Sequence, residues 1–133
     1  MAIILDADVI IRGEKGTIDV VSWMATHANE SFEIASITVA ELWHGVERAS
    51  GKQKLVRERY LRSILDMLPI IPYTEITALE HARIWAELER SGTMIGSYDL
   101  ILAATALERG HAVATLNVRH FSHVRGLKLV KVL

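Results

Sequence analysis

The chain has 133 residues, no cysteine, and 15 basic against 16 acidic side chains, for a formal net charge of −1. These numbers exclude a thiolate metal site and a disulfide scaffold, and they argue against binding nucleic acid by bulk positive charge. The length suits one domain over residues 1–133, and an apolar share of 50% leaves surface for a partner, which makes a homodimer the expected assembly. Because Asp6 and Asp8 interrupt the first apolar run and no uncharged run reaches the length of a span, a cytoplasmic protein without membrane contact is expected.

In chain order, residues 2–5 read as a short apolar strand that ends in Asp6 and Asp8. Residues 33–36, "EIAS", read as a second strand, and Val39, Leu42, Trp43 and Val46 then repeat at the spacing of one helix face. Thr38 and Glu41 stand in the Thr-x-x-Glu spacing of a capping box, which predicts Glu41 in the first turn of that helix. Leu61, Ile64, Leu65 and Leu68 mark another helix, and "PIIPY" at 69–73 a weaker strand. The amphipathic stretch 75–92 stops near Gly92, and "GTMIGS" (92–97) reads as a helix end and turn, since it lacks the lysine and spacing of a phosphate loop. A helix from Ser97 to Gly110 carries Asp99 in its first turn; "AVATL" (112–116) is a clear strand leading to Asn117, and "KLVKVL" ends the chain with alternation. Strands alternating with helices predict an α/β fold with a mostly parallel central sheet covered on both faces, and ligands beyond the carboxyl ends of the strands.

Asp6, Glu41, Asp99 and Asn117 all fall at such ends. Each has an ordinary structural explanation: the capping box for Glu41, the positive end of a helix dipole for Asp99, a turn for Asn117. Gathered together, though, carboxylates about 4 Å apart repel by about 1 kcal/mol per pair in water and about 4 kcal/mol at an effective dielectric of 20. A fold accepts that cost chiefly to hold a hard cation such as Mg²⁺ or Mn²⁺, and such ions also bind nucleic-acid phosphates. The chemistry that follows is phosphodiester hydrolysis.

The stretches "IILDADVII", "ASITVAELWHGVERA", "IGSYDLILAATALERGHAVATLNVRHF" and "VRGLKLV" resemble, in this order over nearly the whole chain, a PIN-domain ribonuclease of the VapC type, the toxin of a toxin–antitoxin pair. The resemblance implies a PIN-like three-layer α/β/α fold and an acidic pocket of Asp6, Glu41 and Asp99 holding Mg²⁺ or Mn²⁺. It places Asn117 where many PIN domains have a further acid. It also implies an RNA substrate such as tRNA and a cognate VapB-type antitoxin. Two positions depart from the family: Asp8 stands where Asn, Ser or Thr is commoner, and His120 replaces a common acid.

Asp8, Thr38, Tyr98 and His120 complete the candidate pocket, with Tyr98 the aromatic best placed to stack on a base. Trp43 and Trp85 lie on apolar helix stripes and are expected in the core or a dimer contact. Arg57, Arg59 and Arg62 belong to a basic run between Arg48 and Arg62 that would guide an RNA backbone, unless it is simply a solvated helix face. Two other functions compete. The D-x-D of Asp6 and Asp8 resembles the first motif of haloacid-dehalogenase-type phosphatases, but the late acidic pair of that chemistry is missing, since only Glu108 follows Asp99. The other is a non-catalytic module whose acids receive a basic partner segment; metal-dependent cleavage separates it from a nuclease.

Overall fold

The computed structural model describes residues 2–133. Its elements run β1 (Ala2–Leu5), α1 (Ala7–Glu14), α2 (Val20–Ala25), β2 (Ser31–Ala35), α3 (Ser36–Arg48), α4 (Gly51–Leu65), β3 (Ile70–Ile71), α5 (Glu75–Ser91), α6 (Ser97–Arg109), β4 (Ala112–Thr115), α7 (Val118–Phe121) and β5 (Lys128–Lys131). The five strands form one sheet in the order β3-β2-β1-β4-β5, and every adjacent pair is parallel. β1 and β4 are buried throughout, as central strands covered on both faces must be.

Alternation along these strands divides the core in two. Ile3, Leu5, Ile34 and Ala114 face α1–α4 and pack with Val9, Ile10, Leu42, Val46 and Leu61. Ile4, Ala35 and Val113 face the other way, toward Ile84 and Leu88 of α5, Leu100 and Ala104 of α6, and Phe121 of α7. The result is the three-layer α/β/α arrangement expected from the sequence.

Several boundaries differ from the expected ones. β2 begins at Ser31 and ends at Ala35, and α3 follows at once from Ser36. Thr38 is therefore a helical residue, fully buried, with a hydroxyl that has no hydrogen-bond partner, and no capping box with Glu41 forms. A capping box does form at α5, where Thr74 and Thr77 exchange side-chain and backbone hydrogen bonds. β3 is only two residues long because Pro69 and Pro72 flank it and donate nothing to a ladder. α5 and α6 stop where expected, at Gly92 and Gly110, both of which adopt φ +68°, a left-handed conformation that side chains disfavour.

Residues 7–30 hold α1 and α2, two helices for which the sequence predicts no element. α1 packs closely on α4: Tyr60 donates from its hydroxyl to the Ile10 carbonyl at 3.0 Å. A Cβ on Gly13 would overlap the Tyr60 hydroxyl and lie 2.5 Å from Val20 Cγ2. Gly13→Ala should therefore lower stability by about 1–3 kcal/mol, the usual cost of overpacking, as measured by chemical denaturation; an unchanged midpoint would mean that the two helices separate without cost.

Among the described residues no helix is long and apolar enough to cross a membrane.

Candidate active site

The strand order reverses between β1 and β4, the place where an open parallel sheet leaves a crevice at its carboxyl edge. β1 pairs with β4 through Leu5 and Ala114, so the next residue of each strand, Asp6 and Thr115, meet at that edge. Asp6 caps α1: its Oδ1 accepts from the Ala7 amide at 2.7 Å, and its Oδ2 accepts from the Thr115 hydroxyl at 2.8 Å. Asp8, in the first turn of α1, turns back to the same hydroxyl; its Oδ2 lies 3.2 Å from Thr115 Oγ1 and accepts from the Leu116 amide at 3.1 Å. Thr115 Oγ1 also accepts from the Asn117 amide at 2.9 Å. A hydroxyl has one proton to donate, so two carboxylates share one donor.

Glu41 and Asp99 enter from the two helices that flank this edge. Glu41 stands on α3, in its second turn rather than its first because the helix starts at Ser36. Asp99 stands in the first turn of α6. The two line one cleft with Gly96, Ser97 and Tyr98. Asn117 precedes α7 and its side-chain amide bonds His120 Nδ1 at 2.8 Å.

The electrostatics show that these groups form one field. Burial raises the Asp6 pKa to about 7, with the charges of Asp8 and Asp99 adding to it and the bonds from Thr115 and Ala7 opposing it. Burial, then Asp99 and Asp8, raise Glu41 to about 6. Asp8 is raised by burial against the bonds from Leu116, Thr115 and Val9 and the charge of Arg12. Asp99 is raised by burial; His120 lowers it and Asp8 raises it again. His120 thus acts on Asp99 through its charge, as well as bonding Asn117.

This donor set suits a hard cation. Four carboxylates repel one another, and Asp8 Oδ1 is buried without a hydrogen-bond partner, the state of an acceptor that a cation would relieve. Among the described residues no group of three or more acidic or imidazole side chains stands close enough to hold a metal ion by itself. An ion held here would complete its shell with water and phosphate oxygens, as Mg²⁺ commonly does.

Of the residues expected at the site, the fold brings Asp6, Asp8, Glu41, Asp99, Asn117, Tyr98 and His120 to this edge. Thr38 is buried in α3. The arginines differ among themselves. Arg57 is half-buried, donating to Glu14 at 2.9 Å and to the Gly45 carbonyl at 3.2 Å, so its first role is to join α4 to α1 and α3. Arg62 lies over the Trp43 ring, 4.9 Å from its centre, while Arg59 is exposed. Of the two alternatives expected for them, Trp43 takes the core, and Trp85, 48% exposed and stacked on His81, is left to the surface.

Thr115 is the residue that sequence reasoning missed. Within "AVATL" it reads as a β-branched residue in a strand, and only the pairing of β4 with β1 shows that it faces two acids. Thr115→Val keeps the shape and removes the shared donor. Were Asp6 to hold an ion, the loss of activity should be about 10- to 100-fold, the usual cost of losing a bond that orients a metal ligand. Wild-type activity would leave Thr115 with a packing role only.

The PIN domain family matches residues 3–127 of the chain. Ribonuclease VapC1 of Rickettsia felis is 29% identical over 133 residues, covering 99% of this chain and 97% of its own. The tRNA(fMet)-specific endonuclease VapC of Salmonella typhimurium is 32% identical over 96 residues, covering 72% of this chain and 71% of its own. Among solved structures, VapBC2 from Rickettsia felis bound to a DNA fragment from its promoter superposes with a TM-score of 0.89 at 26% identity, covering 98% of each chain. DNA-bound VapBC from Salmonella typhimurium does so with a TM-score of 0.86 at 29% identity, covering 100% of this chain and 99% of the other.

Proposed function

The chain belongs to the PIN-domain family, in its VapC branch, and we propose on that footing that it is the endoribonuclease toxin of a toxin–antitoxin pair, acting as one domain over residues 1–133 at the acidic edge of its sheet. The observation that carries this reading is the meeting of Asp6 and Asp8 on the Thr115 hydroxyl at the crevice where the strand order reverses, with Glu41 and Asp99 lining one cleft beside it. Asp6, Glu41 and Asp99 would hold Mg²⁺ or Mn²⁺, directly or through water, and the bound ion would supply Lewis-acid chemistry and charge stabilisation at the phosphate.

The chain's own residues do the rest. Thr115 fixes the Asp6 carboxylate against the end of β4, so that its orientation does not depend on solvent. Asp8 adds negative charge from the first turn of α1. Asn117, bonded to His120, stands just ahead of α7, and the His120 charge acts on Asp99. The exposed Arg59 leaves a cation on α4 to meet RNA phosphates; Arg57 and Arg62 stay 38% and 59% exposed in their contacts with Glu14 and Trp43 and would add to that cation.

A VapB-type antitoxin is the partner, as in the VapBC complexes that this chain resembles. A homodimer in the cytoplasm is the assembly we propose, supported by apolar side chains left exposed on α5, among them Ile76 and Leu79.

The test is cleavage of total RNA and of a tRNA pool by the purified, antitoxin-free chain in Mg²⁺, Mn²⁺ or excess chelator. Discrete cuts that require metal are expected. A folded sample that cuts nothing under any metal would favour a module whose acids only receive a basic partner segment.

A further inference from the structure

We propose that Tyr98 and His44 form a subsite for one unpaired RNA base beside the acidic crevice; the proposal rests on the nuclease reading above and specifies how the substrate is gripped. Tyr98 opens α6 immediately before Asp99, and His44 lies one turn after Glu41 on α3. The two residues therefore extend the acidic pair along the same two helices.

Two adjoining clefts meet at this point. One, of about 460 Å³, is lined by Glu41, Gly96, Ser97, Tyr98 and Asp99. The other, of about 240 Å³, is lined by Ile37, Ala40, Glu41, His44 and Tyr98. Glu41 and Tyr98 line both, so these two residues stand where a polar compartment adjoins a more apolar one. A nucleotide has the same two-part character: a charged phosphate joined to a flat ring with polar edges.

The side chains themselves are uncommitted. Tyr98 is 55% exposed, and among the described residues neither its ring nor its hydroxyl makes a contact with another aromatic or a hydrogen bond. His44 is exposed and likewise makes no hydrogen bond or ion pair. A tyrosine in this state contrasts with Tyr60 and Tyr73, whose hydroxyls bond Ile10 and His81. The phosphate next to the scissile bond occupies the Asp99 compartment, the adjoining base stacks on Tyr98 over a floor of Ile37 and Ala40, and His44 meets the base edge. Bases of single-stranded RNA are free to stack on aromatic rings in this way, whereas paired bases are not.

The experiment uses a short single-stranded RNA spanning a cut mapped with total RNA, and the same strand with an abasic residue beside the scissile bond. In Mg²⁺, Tyr98→Ala should raise KM for the intact strand roughly 5- to 150-fold, the loss expected for one stacked base, with kcat little changed and no further effect on the abasic strand. Tyr98→Phe should restore the wild-type KM, and His44→Ala should change which base is preferred at that position.

Equal effects of Tyr98→Ala on both strands, or a Phe variant as impaired as the Ala variant, would overturn the subsite. So would a change of particle mass by light scattering on Tyr98→Ala, which would assign this face to contact between copies. If the wild-type chain cuts RNA but Tyr98→Ala does not separate the two strands, the subsite alone fails. If the wild-type chain cuts nothing, the nuclease reading fails and the subsite with it.

Discussion

Asp99→Asn is expected to reduce metal-dependent RNA cleavage by at least about a hundredfold while leaving the chain folded. The amide keeps the size of the carboxylate but removes the charge that a divalent ion would meet. Stability should change little, because two terms oppose. Losing an acid from the first turn of α6 forfeits the helix-dipole term of about 0.3–1 kcal/mol. In return the repulsion between Asp99 and Asp8 disappears, and the group is no longer a half-buried anion. Asp6→Asn should abolish cleavage in the same way. Its remaining oxygen can accept from the Ala7 amide, while the Thr115 hydroxyl turns to Asp8, already 3.2 Å away. Cleavage rates in Mg²⁺ and Mn²⁺, with thermal melts of both variants, decide the matter. Full activity in both would remove the acidic crevice as the catalytic site.

Without divalent metal, the wild-type chain should lose stability as pH rises from about 4 to 8, and metal should return it. Asp6 titrates near 7 in the folded chain against 3.8 ordinarily, and Glu41 near 6 against 4.5. Between those limits the folded state binds more protons than the unfolded state, so the stabilisation is complete below the ordinary values and disappears as pH rises through the folded ones. Each such proton contributes a slope of up to about 1.4 kcal/mol per pH unit, and less for Glu41, which is only half-buried. A neutral asparagine at position 6 cannot titrate. Asp6→Asn should therefore match the wild type near pH 4 and exceed it at pH 8 by roughly 1–4 kcal/mol in chelator. Mn²⁺ should raise the wild-type melting temperature at pH 8 and much less at pH 5, where protons compete for the same oxygens. A wild-type melt indifferent to Mn²⁺ at pH 8, with no pH-dependent gap to Asp6→Asn, would show that the acids neither repel in the folded chain nor take up an ion.

The two expectations differ in what they probe. Cleavage reports on the ion and the substrate together, whereas the melt reports on the carboxylates alone. A chain that gains stability with metal yet cuts no RNA would locate the failure in substrate choice.

Much of this site was legible in the sequence, for a physical reason. Asp6 follows directly on an apolar run, Asp99 opens a helix with strong periodicity, and Asn117 ends an unmistakable strand. In a parallel α/β chain the ends of strands and the starts of helices meet along one edge, so residues far apart in sequence can be assigned to one place from local pattern alone. Local pattern misled where two explanations shared a spacing. Thr38 and Glu41 have the spacing of a capping box, but β2 runs straight into α3, so Thr38 is an interior helical residue and needs no cap.

What the sequence determined by itself was therefore the layered α/β class, the acids and the side of the sheet on which they gather, because hydrophobic period and element ends are local properties. Tertiary structure alone decided the rest. The register of β1 against β4 set the Thr115 hydroxyl between Asp6 and Asp8, a contact across more than a hundred residues of chain that no spacing encodes. The packing of α4 on α1 drew Arg57 into an ion pair with Glu14 while leaving its side chain 38% exposed. And the approach of α6 to α3 left Tyr98 and His44 beside the acids with no protein partner of their own among the described residues, since which side chains remain free is known only when every other contact has been made.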